Sequence, residues 1–138
     1  MKVIFACVHN AGRSQMAAGL FNLLSDPQKA RALSAGTQPA LAVHPEVIAV
    51  MKEEGLDLTC VEPQLLTAEF IKDADLLITM GCGEACPYVP GLKRADWPIQ
   101  DPKGQPLERV RDIKEDVRQR VRKLVEEHGV GTLQGTTI

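Results

Sequence analysis

Short apolar runs alternate along the chain with longer stretches in which apolar residues recur every three or four positions. The apolar runs predict strands at 2–6 (KVIFA), 30–36 (ARALSAG), 75–80 (DLLITM) and 94–99 (RADWPI). The helical spacing predicts helices over 14–24, 44–55, 67–74 and 107–127. This alternation of strands and helices predicts a three-layer α/β fold with a mainly parallel sheet.

Composition narrows the class of protein without identifying it. The chain has 138 residues, of which 44% are hydrophobic and 25% charged, as expected for one globular domain. We expect this domain to cover 1–128 and to be followed by a tail, 129–138, with little to bury, which favours disorder. A net charge of -2 and an aromatic content of 4% argue against nucleic acid as a partner.

The N-terminal apolar run is too short for a signal peptide, and no run reaches the roughly 18 residues of a membrane span. We therefore expect a cytoplasmic protein without membrane contact, in which thiols stay reduced. Of the four cysteines, Cys60 is expected to be a packed small hydrophobe. Cys82 and Cys86 fit a redox pair better than a zinc site, which needs four ligands, and we predict no metal site.

The segment CVHNAGRS, residues 7–14, follows the first predicted strand and opens the first predicted helix. Backbone N–H groups in such a turn form an anion nest, and the helix N-terminus favours both an oxyanion and the thiolate of Cys7. Gly12 permits a tight or left-handed turn, Arg13 can bind two oxygens of an anion, and Ser14 can donate to the Cys7 sulfur. Asn10 is expected to bond the loop's own backbone. The candidate binding residues are Val8, His9, Asn10, Ala11, Gly12, Arg13 and Ser14.

A thiolate that attacks a tetrahedral oxyanion needs an acid to protonate the departing oxygen. Asp101, in the segment QDP, is the candidate, although Asp-Pro is also an ordinary turn. Three segments follow predicted strands: the Cys7 loop, the loop of Cys82 and Cys86, and the Asp101 loop. Because sites in parallel sheets form at the carboxyl ends of strands, we expect these segments to converge.

The segments CVHNAGRS, RSQMA, SAG, TMGCGEACP and DWPIQDP resemble the low-molecular-weight protein tyrosine phosphatase family, and within it the arsenate reductase branch. The resemblance covers residues 3 to about 127. It implies a four-stranded parallel sheet with flanking helices. It also implies that Cys7 is the nucleophile, Arg13 the oxyanion binder and Asp101 the general acid.

Within this resemblance, Cys82 and Cys86 favour reduction over hydrolysis, because the conversion of arsenate to arsenite consumes two electrons. The expected relay forms a Cys7–Cys82 disulfide and then a Cys82–Cys86 disulfide, which thioredoxin reduces, in the service of arsenic detoxification. A phosphatase acting on phosphomonoesters or phosphotyrosine is the alternative, and a non-enzymatic regulatory module that binds an anion or an arsenical is the third possibility. We expect a monomer without a cofactor.

Three departures from the family pattern bear on these expectations. The two cysteines are closer together than in many members, which leaves the attack geometry and the choice between thioredoxin and a low-molecular-weight thiol open. Lys103 and Gly104 follow the Asp-Pro where tyrosine phosphatases carry aromatic residues, which favours a small inorganic substrate. Ala18 replaces a glutamate that some relatives use for potassium, so no potassium site is expected.

Overall fold

Four strands form one parallel sheet in the computed structural model, which describes residues 1–81, 87 and 89–131. The central strand β1 (Lys2–Cys7) lies between β2 (Arg31–Gly36) and β3 (Leu76–Thr79), and β4 (Lys93–Asp96) pairs with β3 at the edge. The order across the sheet is β2-β1-β3-β4, and every pairing is parallel. The predicted four-stranded parallel sheet is therefore confirmed.

The helices begin and end close to the predicted positions. They are α1 (Arg13–Leu24), α2 (Pro45–Lys52), α3 (Ala68–Ile71) and α4 (Leu107–His128). Pro45 occupies the first position of α2, where its missing N–H removes no helical hydrogen bond. Thr67 caps α3, as predicted, by accepting the N–H of Phe70 at 3.0 Å.

Two apolar layers pack on the two faces of the sheet. Successive strand residues point to opposite faces, so Val3 and Phe5 of β1 join one core while Ile4 and Ala6 join the other. The first core contains buried residues of α1, α2 and α4, and the second contains Ile71 of α3. This arrangement confirms the predicted three-layer α/β class.

The long helix α4 shows how the sequence pattern produces this packing. Its buried apolar residues recur at helical spacing: Val110, Ile113, Val117, Val121, Leu124 and Val125. Gly129 follows the helix with φ 62, a left-handed conformation that stops a helix and favours glycine. The apolar stripe and the predicted stop at Gly129 are both confirmed.

Strand β4 is shorter than the predicted 94–99. It ends at Asp96, and Trp97 makes one further hydrogen bond to the carbonyl of Thr79 at 2.8 Å. Pro98 has no N–H to donate and interrupts the ladder. All four residues of β4 are exposed, as in a charged edge strand that discourages pairing with another chain.

The folded chain continues beyond the end of α4. Val130 is 7% exposed, and its carbonyl accepts the N–H of Asp26 at 2.7 Å. Gly131 forms a bridge with Ser25. Val130 therefore contributes to the core, while residues 132–138 of the predicted tail lie outside the described residues.

The carboxyl ends of the parallel strands lie along one edge of the sheet, where β1 ends at Cys7 and β3 at Thr79. Clefts of α/β proteins form at this edge because the loops that follow the strands meet there. Within residues 1–81, 87 and 89–131, no helix combines the length and the apolar character that a membrane crossing requires.

Candidate active site

Cys7 closes β1 and begins the nucleophile loop, the name used here for residues 7–14. Its side chain is buried, with the residue 2% exposed, and its Sγ lies 2.9 Å from the Oγ of Ser14. Ser14 is the second residue of α1, so the thiol lies near the positive end of that helix. The structure therefore makes the predicted contact between Cys7 and Ser14.

The direction of the hydrogen bonds at Cys7 follows from one fixed donor. The backbone N–H of Gln64 can only donate, and it lies 2.8 Å from the Asn10 Oδ1. The other amide atom, Nδ2, then donates to the Ser14 Oγ at 2.8 Å. Because the Ser14 oxygen accepts this bond, its own hydrogen is available to the Cys7 sulfur. The chain of donors thus ends on the thiol, as stabilisation of a thiolate requires.

Asn10 is the left-handed residue of the nucleophile loop. Its φ is 51, whereas Gly12, predicted to permit such a turn, has φ -142. Asparagine tolerates this conformation better than most residues, and buried Gln15 supports it by donating its Nε2 hydrogens to the Asn10 carbonyl at 3.0 Å and to Oδ1 at 3.1 Å. The prediction that Asn10 bonds the loop's own backbone is wrong, because its partners are Ser14, Gln15 and the backbone of Gln64.

Gly12 is required by packing. A Cβ at this position would lie 2.8 Å from the Cγ of Pro102, closer than real Cβ contacts. The nucleophile loop therefore touches the acid loop, the name used here for residues 100–106. Glycine at position 12 permits this approach of the two loops.

The carbonyl groups of the nucleophile loop point away from its interior. Four of them accept N–H groups of the neighbouring segment 37–44 at 2.8–3.2 Å: those of Cys7, Val8, His9 and Ala11. Among the described residues, the N–H groups of positions 8–12 have no acceptor. Unpaired N–H groups in a loop before a helix are the donors that an anion nest requires, so the predicted nest remains compatible with the described hydrogen bonds.

Arg13 joins the nucleophile loop to the acid loop. Its Nη1 donates to the Ile99 carbonyl at 3.3 Å, and its Nη2 lies 3.9 Å from the Asp101 Oδ2. The Arg13 side chain is 13% exposed and the Asp101 side chain 47%. The Asp101 Oδ1 accepts the N–H of Lys103 at 3.0 Å, so Oδ2 is the oxygen directed towards the arginine. The structure thus brings these two predicted residues together.

The chain segment that follows β3 also meets the arginine. Gly81 has φ 92, and a Cβ on it would lie 2.7 Å from the Arg13 Nη1. The left-handed backbone conformation favours glycine here, and the contact shows that the chain passes close to the Arg13 guanidinium. Cys82 is the next residue, but Cys82 and Cys86 lie outside the described residues.

The structure also shows the surroundings of His9, His44 and Cys60. The His9 Nδ1 lies 3.0 Å from the Gln38 carbonyl, so His9 helps to hold the nucleophile loop on segment 37–44. Burial lowers the pKa of His44 from its ordinary value, while the charges of Glu46 and Asp101 act in the opposite direction. Cys60 is exposed, so its prediction as a packed hydrophobe is wrong.

Sequence reasoning missed Gln15 and Gln64. Gln64 has no signal in the sequence, because it acts through a backbone N–H that is 54 residues from its partner. Gln15 carries a weak signal, since a glutamine inside the apolar face of a predicted helix needs buried partners. The structure shows that these partners are the two oxygens of Asn10.

A buried thiol that begins a loop with unpaired N–H groups, on a loop whose closing arginine approaches a carboxyl group, is characteristic of proteins that perform nucleophilic chemistry on tetrahedral oxyanions. The sequence also matches, over residues 2–131, the family model described as low molecular weight phosphotyrosine protein phosphatase. The chain belongs to this family, as its motifs predicted.

Relatives within the family include reductases and phosphatases. A glutaredoxin arsenate reductase from Synechocystis sp. is 35% identical over 127 residues, covering 90% of this chain and 95% of that protein. The Corynebacterium glutamicum thioredoxin-dependent arsenate reductase superposes with a TM-score of 0.79 at 36% identity. That alignment covers 93% of this chain and 61% of the longer Corynebacterium chain. A low molecular weight protein tyrosine phosphatase from T. tengcongensis has a TM-score of 0.75 at 26% identity, covering 92% of this chain and 99% of that one.

Proposed function

We propose that this protein reduces arsenate to arsenite through a cysteine relay. The observation that carries the proposal is the directed hydrogen-bond chain that ends on the Cys7 sulfur, at the start of a loop that has unpaired N–H groups and closes on Arg13. Arsenate is a tetrahedral oxyanion of the size and charge that such a nest binds. The similarity to proteins named arsenate reductase supports the same substrate.

In the first step, the Cys7 thiolate attacks arsenic and forms a sulfur–arsenic bond. One arsenic–oxygen bond breaks, and Asp101 donates the proton with which that oxygen leaves as water. Arg13 and the N–H groups of the nucleophile loop hold the remaining oxygens. Arsenic is still pentavalent after this step, so no electrons have been transferred.

In the second step, the Cys82 thiolate attacks the Cys7 sulfur. The sulfur–arsenic bond breaks, its electron pair stays on arsenic, and arsenite departs while a Cys7–Cys82 disulfide forms. Cys86 then attacks Cys82, which releases the Cys7 thiolate and leaves a Cys82–Cys86 disulfide. The two thiols of this pair supply the two electrons of the reduction. The position of Gly81 supports this step. Gly81 immediately precedes Cys82 and lies close to Arg13 of the nucleophile loop, so the chain reaches that loop just before Cys82.

An external dithiol must reduce the Cys82–Cys86 disulfide before the next turnover. We propose thioredoxin, in keeping with the thioredoxin-dependent relative from Corynebacterium glutamicum. The glutaredoxin arsenate reductase from Synechocystis sp. represents the other class of reductant. We further propose a cytoplasmic monomer that serves arsenic detoxification.

Hydrolysis of phosphomonoesters is the second candidate function, because Cys7, Arg13 and Asp101 suffice for it. The similarity to the phosphatase from T. tengcongensis favours it at the level of fold. Lys103 and Gly104, which follow the acid, are both exposed and supply no aromatic wall for a phosphotyrosine ring. We therefore expect phosphatase turnover to be a side activity at most.

Replacement of single cysteines separates the two functions. Cys82→Ser is expected to abolish arsenate turnover with thioredoxin while any hydrolysis of aryl phosphates persists. Cys60→Ser is the matched control, because Cys60 is an exposed thiol with no step in the relay. If Cys82→Ser reduced arsenate at the rate of the unmodified protein, the relay through Cys82 would be wrong. If the unmodified protein hydrolysed aryl phosphates but did not reduce arsenate, the phosphatase candidate would be favoured.

A further inference from the structure

The first turn of α2 is bonded to both loops of the site. The backbone N–H of His44, which precedes the helix, donates to the Ala11 carbonyl in the nucleophile loop at 2.9 Å. Two residues later, the Glu46 Oε1 accepts the backbone N–H of Gly104 in the acid loop at 3.0 Å. Residues 44–46, at the start of α2, are therefore bonded to both the nucleophile loop and the acid loop and help to fix the distance between them.

The acid loop is a tight unit between Asp101 and Gln105. The Asp101 Oδ1 accepts the Lys103 N–H at 3.0 Å, and the Gln105 N–H donates to the Pro102 carbonyl at 3.1 Å. Gly104 has φ 73, a conformation that glycine adopts without strain. Because the turn is closed by these bonds, a constraint on the Gly104 N–H also constrains the direction of the Asp101 carboxyl.

The far end of α2 is anchored as well. Glu54, just beyond the helix, accepts a hydrogen bond from Lys114 of α4 at 2.9 Å and another from Arg118. Since α4 begins directly after the acid loop, α2 is attached to α4 at one end and to the acid loop at the other. The Glu46 side chain, in the first turn of α2, thus extends from a helix that is attached to other elements at both ends.

From this geometry we propose that Glu46 is a positioning residue for the general acid. Its carboxylate holds the Gly104 N–H, and through the closed turn it keeps the Asp101 Oδ2 beside Arg13, where the proton is needed. The inference rests on the proposed function, since it presumes that Asp101 donates a proton to the departing oxygen. It adds to the site a residue of α2, Glu46, that lies outside the sequence motifs of the nucleophile loop and the acid loop.

The test is the single-turnover rate of arsenite formation by the reduced full-length chain, which requires no external reductant. The variants are Glu46→Ala, Glu46→Gln, Asp101→Ala and Glu108→Ala, each made alone, and Glu46→Ala combined with Asp101→Ala. Glu108 is the matched control because it occupies the same second position of α4 that Glu46 occupies in α2. It makes no hydrogen bond within the described part of the chain, so its loss removes a helix-dipole contribution and a charge interaction with Arg111 but no contact with the acid loop.

We expect Glu46→Ala to lower the rate at saturating arsenate roughly tenfold, because a displaced acid transfers its proton less efficiently. The arsenate concentration that gives half the maximal rate should stay unchanged, since binding depends on the nucleophile loop. Glu46→Gln keeps an oxygen acceptor and should stay within about threefold of the unmodified rate. Glu108→Ala should match the unmodified chain.

The combined variant distinguishes positioning from a structural role. If Glu46 acts through Asp101, Glu46→Ala should have no further effect once Asp101 is alanine. The same tenfold loss in both backgrounds, or no loss in Glu46→Ala alone, would overturn the inference while leaving a slow Asp101→Ala to support the proposed function. An unimpaired Asp101→Ala would overturn the acid assignment in the proposed function and the inference with it.

Discussion

The nucleophile loop and the acid loop meet at Gly12 and Arg13 but are held in place by different means. The nucleophile loop is buried, with Cys7, Asn10 and Ser14 at most 2% exposed and bonded in one chain. Apart from buried Pro102, the acid loop is partly or fully exposed. Its described attachments are bonds within its own turn, bonds to Glu46 and Arg109, the contact of Pro102 with Gly12, and the approach of Asp101 to Arg13. The nucleophile Cys7 therefore lies among buried residues, whereas the candidate general acid lies on a partly exposed loop.

This difference predicts that mutations in the two loops act on different properties. Changes to the nucleophile loop should affect both stability and activity, because they disturb buried polar groups that have no alternative partner. Changes to the acid loop should affect activity with little effect on folding, because water replaces lost hydrogen bonds at an exposed site.

The largest effect is expected for Cys7→Ser. Without the thiol, no sulfur–arsenic bond forms, and arsenite formation should fall to the background of the uncatalysed reaction, at least about a thousandfold lower. Thermal unfolding should show a protein that remains folded, since serine is close to cysteine in size. Arsenite formation by Cys7→Ser at the normal rate would exclude Cys7 as the nucleophile.

Asp101→Ala is expected to have the next largest effect. Loss of a general acid costs about 10²- to 10⁴-fold in rate, so arsenite formation should fall by a factor in that range. Because the Asp101 side chain is 47% exposed, the free energy of unfolding should change by less than about 1 kcal/mol. Asp112→Ala, an exposed change on α4, is the matched control. A large loss of stability in Asp101→Ala would contradict the view that the acid loop is only lightly attached.

Gln15→Leu should lower both properties, which is the signature expected for the nucleophile loop. The substitution removes the donor to the buried Asn10 carbonyl and one of the two donors to Oδ1, which keeps the N–H of Gln64. We expect a loss of about 1–3 kcal/mol in the free energy of unfolding, measured by urea denaturation. Single-turnover rates should fall roughly tenfold as Asn10 loses its orientation. The exposed Gln119→Leu, on α4, should change neither quantity.

Glu54→Gln should affect stability alone. Hydrogen bonds from Arg118 and Lys114 lower the pKa of Glu54 below its ordinary value. The folded state is therefore stabilised above that ordinary value, and this stabilisation is lost as the pH falls through the lowered pKa. We expect Glu54→Gln to cost about 1–3 kcal/mol at neutral pH, and the gap to close under acidic conditions.

The control for Glu54 is a carboxylate at an exposed ion pair. Glu69 pairs with Lys72 where the two side chains are 78% and 55% exposed, and Glu69→Gln should cost less than about 0.5 kcal/mol. Equal costs for the two substitutions in urea denaturation would contradict the view that α2 is firmly anchored to α4.

The sequence was most informative where the determinants are local. The apolar stripe from Val110 to Val125 predicts α4 because neighbouring turns of one helix share a face. The predicted bond between Cys7 and Ser14 also depends on one strand-to-helix turn. Such features need only the periodicity of an element or the chemistry of adjacent residues.

Determinants that join distant parts of the chain were missed. Glu46 meets Gly104 across 58 residues, and Gln64 meets Asn10 across 54. The left-handed backbone of Asn10 was missed in the same way, because Gly12 was the residue expected to permit a tight or left-handed turn. Pro102 explains why glycine is needed at 12, and this contact depends on the folded arrangement of two loops.

Disulfide mapping by mass spectrometry, after one arsenate turnover without reductant, tests the relay most directly. We expect one new disulfide between Cys82 and Cys86, with Cys7 returned to the thiol and Cys60 unchanged. In Cys86→Ser, the relay should stop one step earlier, as a Cys7–Cys82 disulfide. Arsenite formation with Cys82 and Cys86 both still reduced would show that this pair does not supply the two electrons, and the relay would be wrong.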